Sequence, residues 1–181
     1  MEKSLPELLA EDPEAGFERL VRTRQHRVYA FSLGLTGSEA EAEDVAQEAF
    51  VRAHRALAGY PAERIRELKL DAWLHTIALN VVRNQRRGAR PVLLELDEER
   101  DRDASPGPER TLEERESLRG VARELARLPE AQREAVLLRC VQGFRYSEVA
   151  ALLSRPLGTV KSDVHRALET LRGRLESEVN V

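Results

Sequence analysis

The chain has 181 residues, 34% of them charged and 4% aromatic, with a formal net charge of -3. That length suits one ordinary domain or two small ones, and high charge with few aromatics disfavours a sandwich or barrel, which predicts an all-α chain. The mild net charge argues against indiscriminate polyanion binding, no apolar run reaches membrane-span length, and Met1–Ser4 lacks the apolar core of a signal peptide.

The expectation is therefore a soluble, cytoplasmic protein without membrane insertion. The single cysteine, Cys140, cannot form an internal disulfide and reads as a small apolar filler. Charge is segregated along the chain: basic residues dominate 83–90 and 155–174, and acidic ones 95–116.

Asp12-Pro13 reads as an N-cap and first helical residue, and Phe17, Leu20, Val21, Val28, Phe31 and Leu35 follow at roughly helical spacing. This first helix should stop near Thr36-Gly37, where Gly suits a left-handed cap. Ser38 and Glu41 have capping-box spacing, so a second helix should run from Glu39 to about Leu57 with Val45, Ala49, Ala53 and Leu57 on one face. Its other surfaces carry Glu41, Asp44, Gln47, Glu48 and Arg52, which by themselves read as a solvated face with acidic residues near the positive end of the helix. Whether Glu63 to Asp71 is helix or loop stays open.

In the stretch from Trp73 to Arg90, Leu74, Ile77, Ala78 and Val81 recur as one buried helical stripe. Thr76, Asn80, Arg83, Asn84 and Arg87 fall opposite, offering amides and a hydroxyl that can read base edges and guanidiniums that can hold phosphates. A solvated helix with basic residues near its negative end is the plain alternative. Pro91 should close this helix, and Glu95 to Pro108 has the composition of a flexible acidic linker. The fold expected is two small helical domains joined by that linker.

Helical spacing resumes near Glu109 or Thr111 with Leu112, Leu118, Val121, Leu125 and Leu128, and Pro129 opens another helix that carries Val136, Leu137, Leu138 and Val141 and ends near Gly143. A short helix, Tyr146 to Leu153, is followed by the break Ser154-Arg155-Pro156 and a last helix. In that helix Val160, Val164, Ala167, Leu168 and Leu171 should face inward, leaving Thr159, Lys161, Ser162, Asp163, His165 and Arg166 outside. Short helix, tight turn and a second helix with a polar, basic outer face make a helix-turn-helix pattern, whose second helix lies in the DNA major groove. Other helical hairpins share it.

Three blocks, Glu41-Ala-Glu-Asp-Val-Ala-Gln-Glu-Ala-Phe-Val-Arg-Ala, Trp73-Leu-His-Thr-Ile-Ala-Leu-Asn, and Leu128-Pro-Glu through Gly158-Thr-Val-Lys-Ser, together resemble the sigma factors of bacterial RNA polymerase, in particular the extracytoplasmic-function group of the sigma-70 family. The resemblance implies a region 2-like domain over 1–92 that docks on core polymerase and reads the promoter -10 element, a linker over 93–117, and a region 4-like domain over 118–181 that reads the -35 element. It places Asp44, Gln47 and Glu48 on the surface meeting the polymerase clamp helices. Asn80 matches the -10 reading asparagine, with Arg83, Arg86 and Arg87 beside it. Lys161, Ser162, His165 and Arg166 match the -35 recognition helix.

It further implies core RNA polymerase, promoter DNA and an anti-sigma factor as partners, with no cofactor and no catalytic residue. Asp163 departs from the family's usual Arg, exchanging a phosphate or base contact for an acceptor that suits a cytosine amino group. Arg145 stands where the family often has a Ser N-cap. Trp73 could stack on DNA, although its place beside Leu74 and Ile77 suits a core role.

The rivals are an ordinary helix-turn-helix regulator, which has no need of the acidic second helix or the Trp73 block, and a helical adaptor with acidic partners. An enzyme is a poor fit: His26, His54, His75 and His165 are scattered and accompany no metal-ligand spacing or Gly-rich phosphate loop.

Overall fold

The computed structural model describes residues 3–88 and 112–179, all of whose regular elements are helical. Pro91 and linker residues 93–111 lie outside the described residues. The first group comprises α1 (Leu5–Glu11), α2 (Pro13–Thr36), α3 (Glu39–Ala58), α4 (Ala62–Glu67) and α5 (Leu70–Arg86). The second comprises α6 (Leu112–Ala126), α7 (Glu130–Val136) continuing as a π-helical turn (Leu137–Val141), α8 (Tyr146–Leu153) and α9 (Leu157–Val179).

Local chemistry sets most boundaries. Asp12 accepts from the Ala15 N–H and so starts α2 at Pro13; Gly37, at φ 75°, ends it. Ser38 Oγ accepts from the Glu41 N–H at 3.4 Å and starts α3. Helix α1 has no counterpart in the sequence reading, although its start is well signalled: Ser4 caps the Glu7 N–H while the Glu7 carboxylate accepts from the Ser4 N–H at 2.8 Å. The stretch left open between Leu57 and Trp73 contains α4, whose Ile65 is buried, and then the start of α5 at Leu70. Residues 112–117 of the stretch assigned to the linker belong to α6, whose described part starts at Leu112, and one expected bound moves: Pro129 sits at the N-cap of α7 instead of in its first turn.

The core of the first group forms where α2, α3 and α5 pack around Phe31, Leu35, Val45, Ala49, Leu74, Ala78 and Val81. Full burial of a side chain such as Phe31 contributes about 2 to 3 kcal/mol. The second group buries Val149, Leu153, Val160, Val164 and Ala167 between α8 and α9, against Leu137 and Leu138. The π turn inserts one residue into the helical register: the Gln142 N–H reaches the Leu137 carbonyl at 2.9 Å. That shift of phase leaves Val141 52% exposed and delivers Phe144 to the first group of helices.

The two groups pack directly on one another. Helix α6 and the π turn lie against the C-terminal half of α2, where Leu33 and Ala42 bury Ala122. Glycine makes the approach possible at two places: a Cβ on Gly34 would lie 2.5 Å from Leu137 Cδ2, and one on Gly37 2.6 Å from Ala126 Cβ. Glycine within a helix costs about 1 kcal/mol relative to alanine, so Gly34 trades local helix stability for contact with the second group.

Two orientations on α9 differ from expectation. Asp163 is buried, 8% exposed, and Leu168 is 43% exposed. Asp163 stands three residues after Val160 and four before Ala167, at the margin of the buried stripe, and there its carboxylate faces Arg155 (Nη1–Oδ2 3.7 Å). The ion pair offsets the cost of burying a charge.

Candidate functional site

Three surfaces carry the predicted residues. On α3, Asp44 and Gln47 are exposed, while Glu48 is half-buried and paired to Arg52 one turn on, Nε–Oε1 2.6 Å. Val45, Ala46 and Ala49, buried on the opposite face, hold that helix in place. Asp44 and Gln47 thus form an acidic-polar edge on a rigid element.

Helix α5 does more than present a face. Beyond the expected stripe it buries Leu79, Val82 and His75, and Ile77 is only half-buried. Asn80 and Arg87 are exposed. The Thr76 hydroxyl donates to its own helix at the Ala72 carbonyl, 2.8 Å, which leaves its oxygen only as an acceptor. Near the start of the helix Trp73 is half-buried, its ring 6.2 Å from that of Tyr60, and the Arg64 guanidinium covers Tyr60 at 3.7 Å. Trp73 is thus packed partly against the core, as its spacing beside Leu74 and Ile77 suggests.

Arg83, expected on an open face, is engaged by the second group, and Arg86, which the resemblance places beside it, is engaged by both groups. Arg83 gives a bidentate pair to Glu134 of α7, Nε–Oε1 2.9 Å and Nη2–Oε2 2.8 Å. These hydrogen bonds hold the guanidinium pKa above its ordinary value. Arg86 donates to the Leu35 carbonyl at 2.7 Å and lies 3.6 Å from Glu130. Arg133 also donates to the Leu35 carbonyl, at 2.6 Å; burial, with Arg86 nearby, lowers its pKa from the ordinary value. Leu35 is in the last turn of α2, whose carbonyls lack helical partners and carry the negative end of the helix dipole, so cations collect there.

On α9, Thr159, Lys161, Ser162, His165 and Arg166 are exposed together. Asp163 is instead buried and faces Arg155, which corrects the expectation that it lies on the outer face with them. Ser154, at φ 52°, makes the tight turn before this helix. Arg145 occupies the N-cap of α8 without a capping side chain, and the Glu148 carboxylate instead accepts from the Arg145 N–H at 2.8 Å.

Neither Glu134 nor Arg155 is among the site residues expected from the sequence. A signal for Glu134 existed: it precedes Leu137, Leu138 and Val141 by three, four and seven residues and so sits on their apolar stripe. Arg155, in a turn beside Pro156, had none. Among the described residues, no group of His, Cys, Asp and Glu is arranged to hold a metal ion, and no helix is long and apolar enough to cross a membrane.

The chain thus presents an acidic-polar edge on α3, Asn80 and Arg87 on α5, and a helix-turn-helix whose last helix has a polar, basic outer face. The sigma-70 region 2 family matches residues 20–91, and the sigma-70 region 4 family matches residues 118–171. The chain is 31% identical to the RNA polymerase sigma-H factor of Pseudomonas aeruginosa, over 97% of this chain and 94% of that protein. Against the ECF RNA polymerase sigma-E factor of Escherichia coli K12 it is also 31% identical, over 95% of this chain and 93% of that protein. A solved structure of the sigma factor RpoE in complex with the anti-sigma factor NepR from Bartonella quintana superposes with a TM-score of 0.66 at 25% identity, covering 88% of this chain and 96% of that one. The protein belongs to the sigma-70 family, in its extracytoplasmic-function group, and has the promoter-directing function of an RNA polymerase sigma factor.

Proposed function

We propose that the two helical groups divide the work of a non-catalytic initiation factor acting with polymerase in the cytoplasm. Residues 1–92 dock on core polymerase through Asp44, Gln47 and Glu48 and read the -10 element through Thr76, Asn80, Arg83, Asn84, Arg86 and Arg87. Residues 118–181 read the -35 element through Thr159, Lys161, Ser162, His165 and Arg166, and 93–117 span the two. The observation that carries this reading is the shared exposure of Asn80 and Arg87 on α5 and of five polar or basic side chains on one face of α9.

The chemistry suits the division. A base drawn out of the duplex costs a few kcal/mol of unstacking, which an amide such as Asn80 offsets by pairing with its edge while guanidiniums hold the neighbouring phosphates. Lys161 and Arg166 supply phosphate contacts for the helix in the major groove, and Ser162 and Thr159 reach base edges. By similarity to the Bartonella complex, an anti-sigma protein is proposed as a further partner.

The test is a pull-down of core polymerase with the purified chain, then run-off transcription on genomic fragments. Specific transcripts that require both components are expected. Binding of promoter duplex with no affinity for core polymerase would favour an ordinary helix-turn-helix regulator.

A further inference from the structure

Arg83 and Arg155 come from different domains and converge on one carboxylate. Glu134 is 1% exposed; its Oε2 receives Arg83 Nη2 at 2.8 Å and Arg155 Nη2 at 2.7 Å. Arg155 continues to Asp163, so a chain of charges runs from the proposed -10 helix, α5, to the proposed -35 helix, α9. The same interface contains the Arg86 and Arg133 bonds to the Leu35 carbonyl, the Arg119–Glu39 pair (Nε–Oε1 2.6 Å), and the insertion of Leu137 against Gly34.

We propose that Glu134 is an internal competitor for nucleic-acid phosphate: in the free chain its carboxylate occupies the Arg83 guanidinium, the domains stay closed, and opening this contact precedes promoter binding. The inference rests on the assignment of Arg83 to DNA binding. A guanidinium binds a carboxylate and a phosphate through the same two parallel N–H bonds, so the two ligands exclude one another on Arg83. Glu134 is held on both sides, which offsets the desolvation of a buried carboxylate. When the domains separate, it keeps Arg155 and regains water, so opening strands no unpaired charge. The apolar part of the interface adds to closure without specifying the phosphate.

If the closed form dominates by about ten to one, apparent DNA affinity is reduced about tenfold, and a variant that opens the chain regains that factor. Two full-length variants act on different parts of the interface. Glu134→Gln removes the charge and turns one acceptor oxygen into an amide donor while keeping size; Gly34→Gln leaves every charge in place and inserts a side chain, compatible with a helix, where Leu137 now sits. Circular dichroism reports whether each variant keeps its helices. Small-angle scattering reads closure in the absence of polymerase and DNA. The wild type should have a radius of gyration of about 16 Å, as a compact chain of this length has, and both variants should be larger.

Fluorescence anisotropy with a labelled mixed-sequence single-stranded DNA should show both variants binding about tenfold tighter than wild type. Unchanged dimensions in both folded variants would overturn the closure. Expansion without a gain in DNA affinity would overturn the competitor role and leave a packing interface only. Run-off transcription with core polymerase is measured in parallel: if the wild type supports none, the promoter assignment fails, whereas the scattering result still decides closure by itself.

Discussion

The ring of His75, in the middle of α5, meets the ring of Phe144 edge to face with centroids 5.5 Å apart, and so a histidine of the first domain is covered by an aromatic residue of the second. Phe31 flanks the same imidazole at 4.8 Å. His75 Nδ1–H donates to the Asp71 carbonyl at 2.5 Å, while Nε2 is buried beside Gln142 without a well-formed hydrogen bond. A neutral imidazole fits this site better than a charged one.

Burial is the largest influence on His75, and it holds the pKa below the ordinary 6.5; Arg27 acts in the same direction, and the Asp71 carbonyl, the Asp71 charge and Gln142 oppose them. The unfolded chain therefore takes up a proton at this position before the folded one does. The stabilisation is complete above pH 6.5 and declines as the pH falls below it through the depressed folded value. For one residue the decline is at most about 1.4 kcal/mol per pH unit. Urea unfolding at pH 7.5 and 5.5 should show a smaller loss for His75→Gln than for wild type, and equal losses would place the pH dependence elsewhere.

The exposed edge of α3 should affect docking and not folding. Asp44→Ala with Gln47→Ala should weaken binding to core polymerase by about tenfold or more, the size of effect typical of an interface anchor. The stability change should stay within about 0.5 kcal/mol per site, since both side chains are exposed. Titration of labelled core polymerase with the double variant checks this, and full affinity would move the docking surface off α3.

Asn80 and Arg87 are both exposed on α5 yet should fail differently. Arg87→Ala should lower holoenzyme affinity on all promoters and reduce the salt slope by about one unit, as expected for one lost phosphate contact. Asn80→Ala should cost about 1 to 3 kcal/mol on promoters with the favoured -10 base and much less on others. Open-complex formation on a library randomised at the -10 element, at two salt concentrations, separates the two. An unchanged preference in Asn80→Ala would mean that another residue reads the base.

Asp163→Arg would restore the residue usual at this position in the family, but burial and the neighbouring Arg155 make it a stability change. A second guanidinium would meet the first in a nearly closed site and cost about 3 kcal/mol, comparable with breaking a buried ion pair. Thermal unfolding of the variant measures it. A stable variant with an altered -35 preference would show instead that this position faces DNA.

The sequence by itself determined the local and periodic features: the Asp12 and Ser38 caps, the Gly37 stop, the buried stripes of α3 and α5, and the short helix, turn and long helix at the C-terminal end. Each depends on residues within a turn or two of one another, so spacing and capping chemistry express it directly. The sigma-70 resemblance was legible for the same reason, because its blocks are local.

What the tertiary structure decided depends on which helix meets which. Arg83 and Asn80 look alike on a helical projection, yet Glu134 takes up the first and leaves the second exposed. Asp163 lies at the edge of an apolar stripe, and only the position of Arg155 makes its burial tolerable. The π turn shifts the register so that Val141 faces out and Phe144 reaches His75, and Gly34 acquires its purpose only when Leu137 packs against it. These outcomes are set by close packing and charge pairing between residues distant in the chain, where no local period or cap records the partner.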